Sequence, residues 1–146
     1  LLWQYAAKVL KKIFRKEPHI GKRKRSACVD VRIYQKFLDQ RLGIPLGDRG
    51  KVLIKLPQWI WRNKTFLIAC LKGLFEAEGS FSIHLKTYTY NLSFSNRNIS
   101  LLNEVESALK GLGFHPERRR DAVRLRRKDE AYRFEGLISF RKYPIL

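Results

Sequence analysis

A chain of 146 residues has room for one compact domain or two small repeats that share a core. Apolar residues make up 45 % of it, which excludes disorder by composition, and 31 Lys and Arg against 13 Asp and Glu leave a net charge of +18. An excess of that size points to a polyanion partner, nucleic acid first, because neutralised phosphates release condensed counterions. A structural basic protein of ribosomal type is the competing class.

Two distant cysteines, Cys28 and Cys70, exclude a disulfide framework and fit a reducing intracellular setting, cytoplasm or organellar matrix. The longest apolar run, Phe66 to Leu71, is far too short to span a bilayer.

In chain order, Leu2 to Lys16 is predicted as an amphipathic helix, with Val9, Leu10, Ile13 and Phe14 on one side and Lys8, Lys11, Lys12 and Arg15 on the other. Glu17-Pro18 ends it. After the basic stretch Gly21 to Arg25, residues Ala27 to Tyr34 alternate as a strand. Tyr34 to Leu42 returns to helical spacing and stops at Gly43. Ile44 to Lys64 is a connector rich in Gly, Pro and basic residues, and its tryptophans, Trp59 and Trp61, are expected to pack.

Thr65 to Glu78 is a second, almost wholly apolar helix. A hairpin follows, turning near Thr87. One face is apolar (Phe81, Ile83, Leu85, Tyr88, Tyr90, Leu92, Phe94) and the other is polar. Ser100 to Leu112 is helical, His115 to Arg120 and Ala122 to Arg127 form a short basic hairpin, and a last helix covers Asp129 to Phe140. Val9 to Ile13 echoes Ala108 to Leu112, and Val31 to Ile33 echoes Val123 to Leu125, an internal repeat whose first copy lacks its opening helix and hairpin.

Within the second helix, Ala69, Gly73 and Ala77 stand four residues apart on one face. Small residues in such a row let a second backbone approach closely. Glu76 and Glu78 stand at the helix C-terminus, where negative charge opposes the macrodipole. A basic setting or a bound cation offsets that cost, and a carboxylate presented there is a good ligand for a hard divalent ion such as Mg²⁺. Glu76 reads equally as a surface glutamate and as a participant, whereas Glu78 carries the functional reading.

Leu71-Lys72-Gly73-Leu74-Phe75-Glu76-Ala77-Glu78-Gly79, continued by Ser80-Phe81, resembles the nine-residue signature of the LAGLIDADG homing endonucleases. The connector, Leu42 to Gly47 and then Leu56 to Ile60, resembles the stretch before the second signature in bacterial and intein-type members. The resemblance covers nearly the whole chain. It implies an α+β fold of αββαββα repeats paired through their signature helices, here a complete repeat preceded by an incomplete one. Residues 1–46 would be the second half of an N-terminal repeat, 47–64 the connector, and 65–146 the complete repeat.

By the same resemblance Glu78, in place of the commoner Asp, matches the family's metal-binding acid, with Mg²⁺ as cofactor. Arg49 or Lys51 matches its basic active-site residue. An active site in this family uses two acids, one from each repeat, and this chain carries one signature. A second repeat is therefore expected as a partner, from another copy or from an N-terminal portion of the same protein. The half-repeat and the lack of Met favour the N-terminal portion.

Double-stranded DNA is the expected ligand. The polar hairpin face, Ser82, His84, Lys86, Thr89, Asn91, Ser93 and Ser95, mixes donors and acceptors able to read base edges. Arg118, Arg120, Arg124 and Arg126 are expected as the basic face of the second hairpin, with Arg23 and Arg25 doing the same for the incomplete repeat; phosphate anchoring is their simplest role. The function expected is sequence-specific hydrolysis of duplex DNA with a divalent metal. The alternatives are a non-catalytic DNA-binding regulator or an intron-RNA maturase of the same fold.

Overall fold

Helix α4 (Lys64–Glu78) organises the larger of two compact units, residues Pro45–Arg141. The computed structural model describes residues 2–24, 26, 28–43, 47 and 50–141. Asn63 caps the start of α4: its side-chain oxygen accepts from the backbone N–H groups of Thr65 (2.9 Å) and Phe66 (3.3 Å). Leu67, Leu71 and Phe75 then recur at helical spacing and are buried, so one face of α4 belongs to the core. A one-turn helix α3 (Gln58–Trp61) precedes it and buries Ile60, while Trp59 meets Phe66 edge-on at 5.5 Å.

After α4 the chain runs β3 (Gly79–His84), β4 (Thr89–Ser95), α5 (Ile99–Gly111), β5 (Glu117–Arg118), β6 (Ala122–Leu125) and α6 (Lys128–Ile138). This is the αββαββα order expected for a complete repeat, in an α+β architecture. The four strands lie in the order β3-β4-β6-β5, every neighbouring pair antiparallel. One sheet face carries Leu92, Phe94, Val123 and Leu125 into the core against α4, α5 and α6. Phe75 stands between Phe94 (5.5 Å between ring centres) and Phe134 (4.8 Å), so truncating it to Ala would cost about 3–5 kcal/mol. Helix α5 ends where Gly113 takes a left-handed φ of 79° and Phe114 N–H reaches back to the Leu109 carbonyl at 3.0 Å. The buried Glu130 carboxylate, in the first turn of α6, accepts from His115 N–H at 3.1 Å.

The smaller unit, residues Leu1–Ile44, contains α1 (Leu2–Phe14), the antiparallel pair β1 (His19–Lys22) and β2 (Val29–Arg32), and α2 (Leu38–Leu42). Trp3 and Ala6 of α1 and Val29 and Val31 of β2 line one shallow apolar cleft, and α1 fully buries none of its residues.

Several expected boundaries move for backbone reasons. Helix α1 stops at Phe14 because Arg15 takes a φ of 53°. Helix α2 begins at Leu38 rather than Tyr34, because Phe37, at a φ of 56°, interrupts helical backbone. In the β3–β4 hairpin a single 3₁₀ turn, Leu85–Thr87, replaces the strand expected through Leu85, and Tyr88 follows at a φ of 48°. The expected apolar face is accordingly lost at the hairpin tip, where Leu85 and Tyr88 are 73 % and 81 % exposed.

Candidate active site

Glu78 is the last residue of α4, and the chain passes from it straight into β3. Gly79 makes that junction possible. A Cβ at this position would lie 2.4 Å from the Phe75 carbonyl oxygen and 2.9 Å from the Phe75 Cα, inside any tolerable contact with backbone. The glycine closing the nine-residue segment therefore lets the first strand leave the helix end at close quarters, and this holds the Glu78 backbone at the rim of the sheet.

The Glu78 side chain is exposed and opens into a cleft of about 790 Å³, which Asn96, Arg97, Asn98 and Asp121 also line. Asn96, just beyond β4, donates from Nδ2 to Glu78 Oε2 at 2.5 Å. The other end of the same amide, Oδ1, accepts from Asn98 N–H at 2.8 Å, and the Asn96 backbone N–H donates to the Asp121 carbonyl at 2.9 Å. Asn98 caps α5 by accepting from Leu101 N–H at 3.0 Å and donates from Nδ2 to the Val52 carbonyl at 2.7 Å. Ile54 N–H donates to Ser100 Oγ at 2.7 Å and Leu56 N–H to Glu104 Oε2 at 2.8 Å. A polar string thus runs from Glu78 through Asn96 and Asn98 to the segment Gly50–Leu56, and fixes that segment on the first turns of α5.

Lys51 rides on this segment. Its neighbour Gly50 lines the Glu78 cleft, while Lys51 itself lines an adjoining one with Asn98 and Asn103. Arg49, the alternative basic residue, lies outside the described residues. Glu76 has a different setting from Glu78. Both of its oxygens are held by Arg141, through the guanidinium (2.5 Å) and the backbone N–H (2.9 Å), which ties α4 to the chain just beyond α6. Among the described residues no group of three or more His, Cys, Asp or Glu converges as a metal cage.

A family model described as LAGLIDADG-like domain matches residues 65–143, more than half of the chain. The chain belongs to the LAGLIDADG-like domain family. No curated protein and no solved structure gives a match. Among the described residues no helix is long and apolar enough to cross a membrane.

On the signature helix of this LAGLIDADG-like domain, Ala69, Gly73 and Ala77 are all exposed, opposite the buried Leu67, Leu71 and Phe75. Apart from the backbone of its own helix, a Cβ added at Gly73 would meet nothing within 4 Å. Nothing among the described residues requires the row to be small.

The sheet's second face carries the polar side chains. Its register pairs Ser82 with Asn91, His84 with Thr89, Ser80 with Ser93, and Ser93 with Arg124, which in turn faces Glu117. Ser82, His84 and Ser95 are exposed, as is Lys86 in the 3₁₀ turn, while Thr89 and Asn91 are half-buried. His84 Nδ1 lies 2.9 Å from Thr87 Oγ1. Ser93 is 7 % exposed and shares a 2.9 Å hydrogen bond with Ser80 Oγ, so it is a sheet-internal contact rather than a projecting donor. Asn91 Oδ1 and Arg124 Nε are buried atoms with no partner.

The four arginines expected on one basic face separate. Arg118 is in register with the buried Val123 and so points to the helix side of the sheet, 3.9 Å from Glu106 of α5. Arg120 is exposed in the bend between β5 and β6. Arg124 lies on the polar face, and Arg126 stands 3.5 Å from Glu117, which also pairs with Arg119. In the smaller unit Asp30 accepts from Arg23 (3.2 Å) and Arg32 (2.8 Å). Those hydrogen bonds hold its carboxyl below the ordinary carboxylate range and raise both guanidinium values. Arg23 is therefore already ion-paired, and Arg25 lies outside the described residues. Burial pushes the Cys70 thiol up, away from thiolate reactivity.

Asn96, Arg97 and Asp121 are cleft residues that sequence reasoning missed. The available signal was the Asn96-Arg97-Asn98 triplet ahead of an apolar helix, which reads as a cap and nothing more.

Proposed function

We propose that this chain is part of a homing endonuclease that hydrolyses duplex DNA at a specific sequence, with Mg²⁺ as cofactor and Glu78 as its metal-binding acid. The observation that carries this reading is the setting of Glu78: one carboxylate oxygen is held by Asn96, and the side chain lines an open cleft at the end of the family's signature helix. The donor set suits a hard ion. Mg²⁺ is usually held by one or two carboxylates, with water and phosphate oxygens completing the octahedron, and a full protein cage is not needed. Glu78 would hold the ion, and Asp121 shares the cleft. When bound, such an ion activates water and stabilises charge on the scissile phosphate.

The remaining residues do what this chemistry requires of the protein. Ser82, Asn91, Thr89 and Arg124 would contact base edges from the polar sheet face, and Arg120, Lys86 and the exposed lysines of α1 would hold phosphates. Lys51 would place a positive charge beside the cleft. The exposed row Ala69, Gly73, Ala77 would receive the signature helix of a second repeat, which supplies the second acid. That repeat comes from another copy of the chain or from elsewhere in the same protein, and the connector's resemblance to bacterial and intein-type members supports the second source.

The test is selection from a pool of random DNA duplexes with the purified chain, first for binding without metal and then, with the second repeat present, for cleavage in Mg²⁺. Enrichment of one sequence, and cleavage of it that Glu78→Gln abolishes, is the expected result. Sequence-specific binding with no cleavage in the presence of a second repeat would replace this reading with a non-catalytic regulator. Preference for structured RNA over every duplex would replace it with a maturase.

A further inference from the structure

We propose that Asn96 is a positioning residue for the metal-binding acid: its side-chain amide holds Glu78 Oε2 and so fixes the carboxylate in one orientation at the cleft. This rests on the reading of Glu78 as a metal ligand. A glutamate at a helix terminus has several rotamers and loses rotamer entropy when a metal selects one. Among the described residues, Asn96 Nδ2 is the one hydrogen-bond donor to the Glu78 carboxylate.

The donor cannot swing away or flip. Asn96 Oδ1 is held by Asn98 N–H, so the amide nitrogen is the end that faces Glu78, and the Asn96 backbone is held by the Asp121 carbonyl. Asn98 is fixed in turn by its bonds to Leu101 N–H and the Val52 carbonyl. The position therefore needs a side chain with an acceptor and a donor on one planar group, of the reach of Asn. Asp has no donor, and Ser satisfies Asn98 N–H but falls short of Glu78. Partners that orient a ligating side chain typically govern metal affinity by about 10–100-fold.

The variant Asn96→Ser keeps an acceptor for the loop, removes the donor to Glu78 and adds no charge. Mn²⁺ binding to the full chain, followed by electron paramagnetic resonance, is expected to weaken about tenfold in Asn96→Ser. Affinity for DNA in a chelator should stay within about twofold, which separates positioning from loss of fold. Equal Mn²⁺ affinity in native and Asn96→Ser chains overturns the proposal.

A metal-free signature tests the same contact independently. In ¹⁵N spectra one of the two Asn96 side-chain amide protons should move when Glu78 is changed to Ala, and an unmoved pair also overturns it. If native and Glu78→Gln chains bind Mn²⁺ equally, the reading of Glu78 as ligand fails by itself, and the amide spectrum still decides whether Asn96 holds that carboxylate.

Discussion

Gly73 offers a test in which two consequences have opposite signs. It sits inside α4, a helix of 15 residues, and apart from the backbone of that helix an added Cβ would meet nothing within 4 Å. In an exposed helix interior Ala is more favourable than Gly by about 0.8–1 kcal/mol, since Gly loses more backbone freedom on folding. Gly73→Ala should therefore stabilise the chain at high dilution by about 1 kcal/mol, equivalent to a rise in Tm of roughly 4–8 °C for a unit of about 100 residues. If the row Ala69, Gly73, Ala77 receives a second signature helix, the same methyl group stands where two backbones must approach, and pairing should weaken by about 1–3 kcal/mol, as for overpacking in a core. Urea denaturation at low concentration measures the first effect, and sedimentation with the second repeat measures the second. A destabilised dilute chain would refute the open placement of this face. Unchanged or tighter pairing would refute its use as the interface.

The other predictions follow from single contacts. Gly79→Ala puts a Cβ against the Phe75 carbonyl and must shift the α4–β3 junction; a loss of about 1–3 kcal/mol in urea denaturation is expected, with Mn²⁺ affinity falling as Glu78 moves. Arg124→Ala should weaken binding to a selected duplex and relax its sequence preference, while Arg118→Ala, on the helix side beside Glu106, should lower stability and leave the preference intact; gel-shift competition checks both. The Asp30 carboxyl is lowered in the folded chain by Arg23 and Arg32. Its contribution to stability is therefore present above the unfolded value of about 3.9 and is lost as pH falls through the folded one. Asp30→Asn should remove that part of the acid dependence, seen as a flatter unfolding midpoint between about pH 5 and 2.

Helix α4 was legible because its signals agree: a long apolar run at helical spacing and a glycine at the end. The order of elements in the larger unit was legible for the same reason, since strand alternation and helical spacing are strong from Phe81 to Phe134. What escaped is what periodicity cannot carry. Phe37 and Arg15 adopt left-handed backbone conformations that bulky residues rarely take, so no pattern marks them as breaks. The four-arginine face failed because spacing alone does not set register: β5 is two residues long, and its pairing with Val123 turns Arg118 inward.

The cleft escaped for a further reason. Glu78 ends α4, Asn96 follows β4 and Asp121 precedes β6, and the β3-β4-β6 pairing brings the three together. The acid was visible in the signature, whereas the amide that holds it was not.

The most direct test of the central claim is a single-turnover rate in Mg²⁺ on the selected duplex, with the second repeat present, for native and Glu78→Gln chains. Cleavage by the native chain should depend on the metal, and Glu78→Gln should lower the rate by at least about 100-fold while duplex affinity stays the same. Equal rates in the two chains, or a native rate indifferent to Mg²⁺, would contradict that claim.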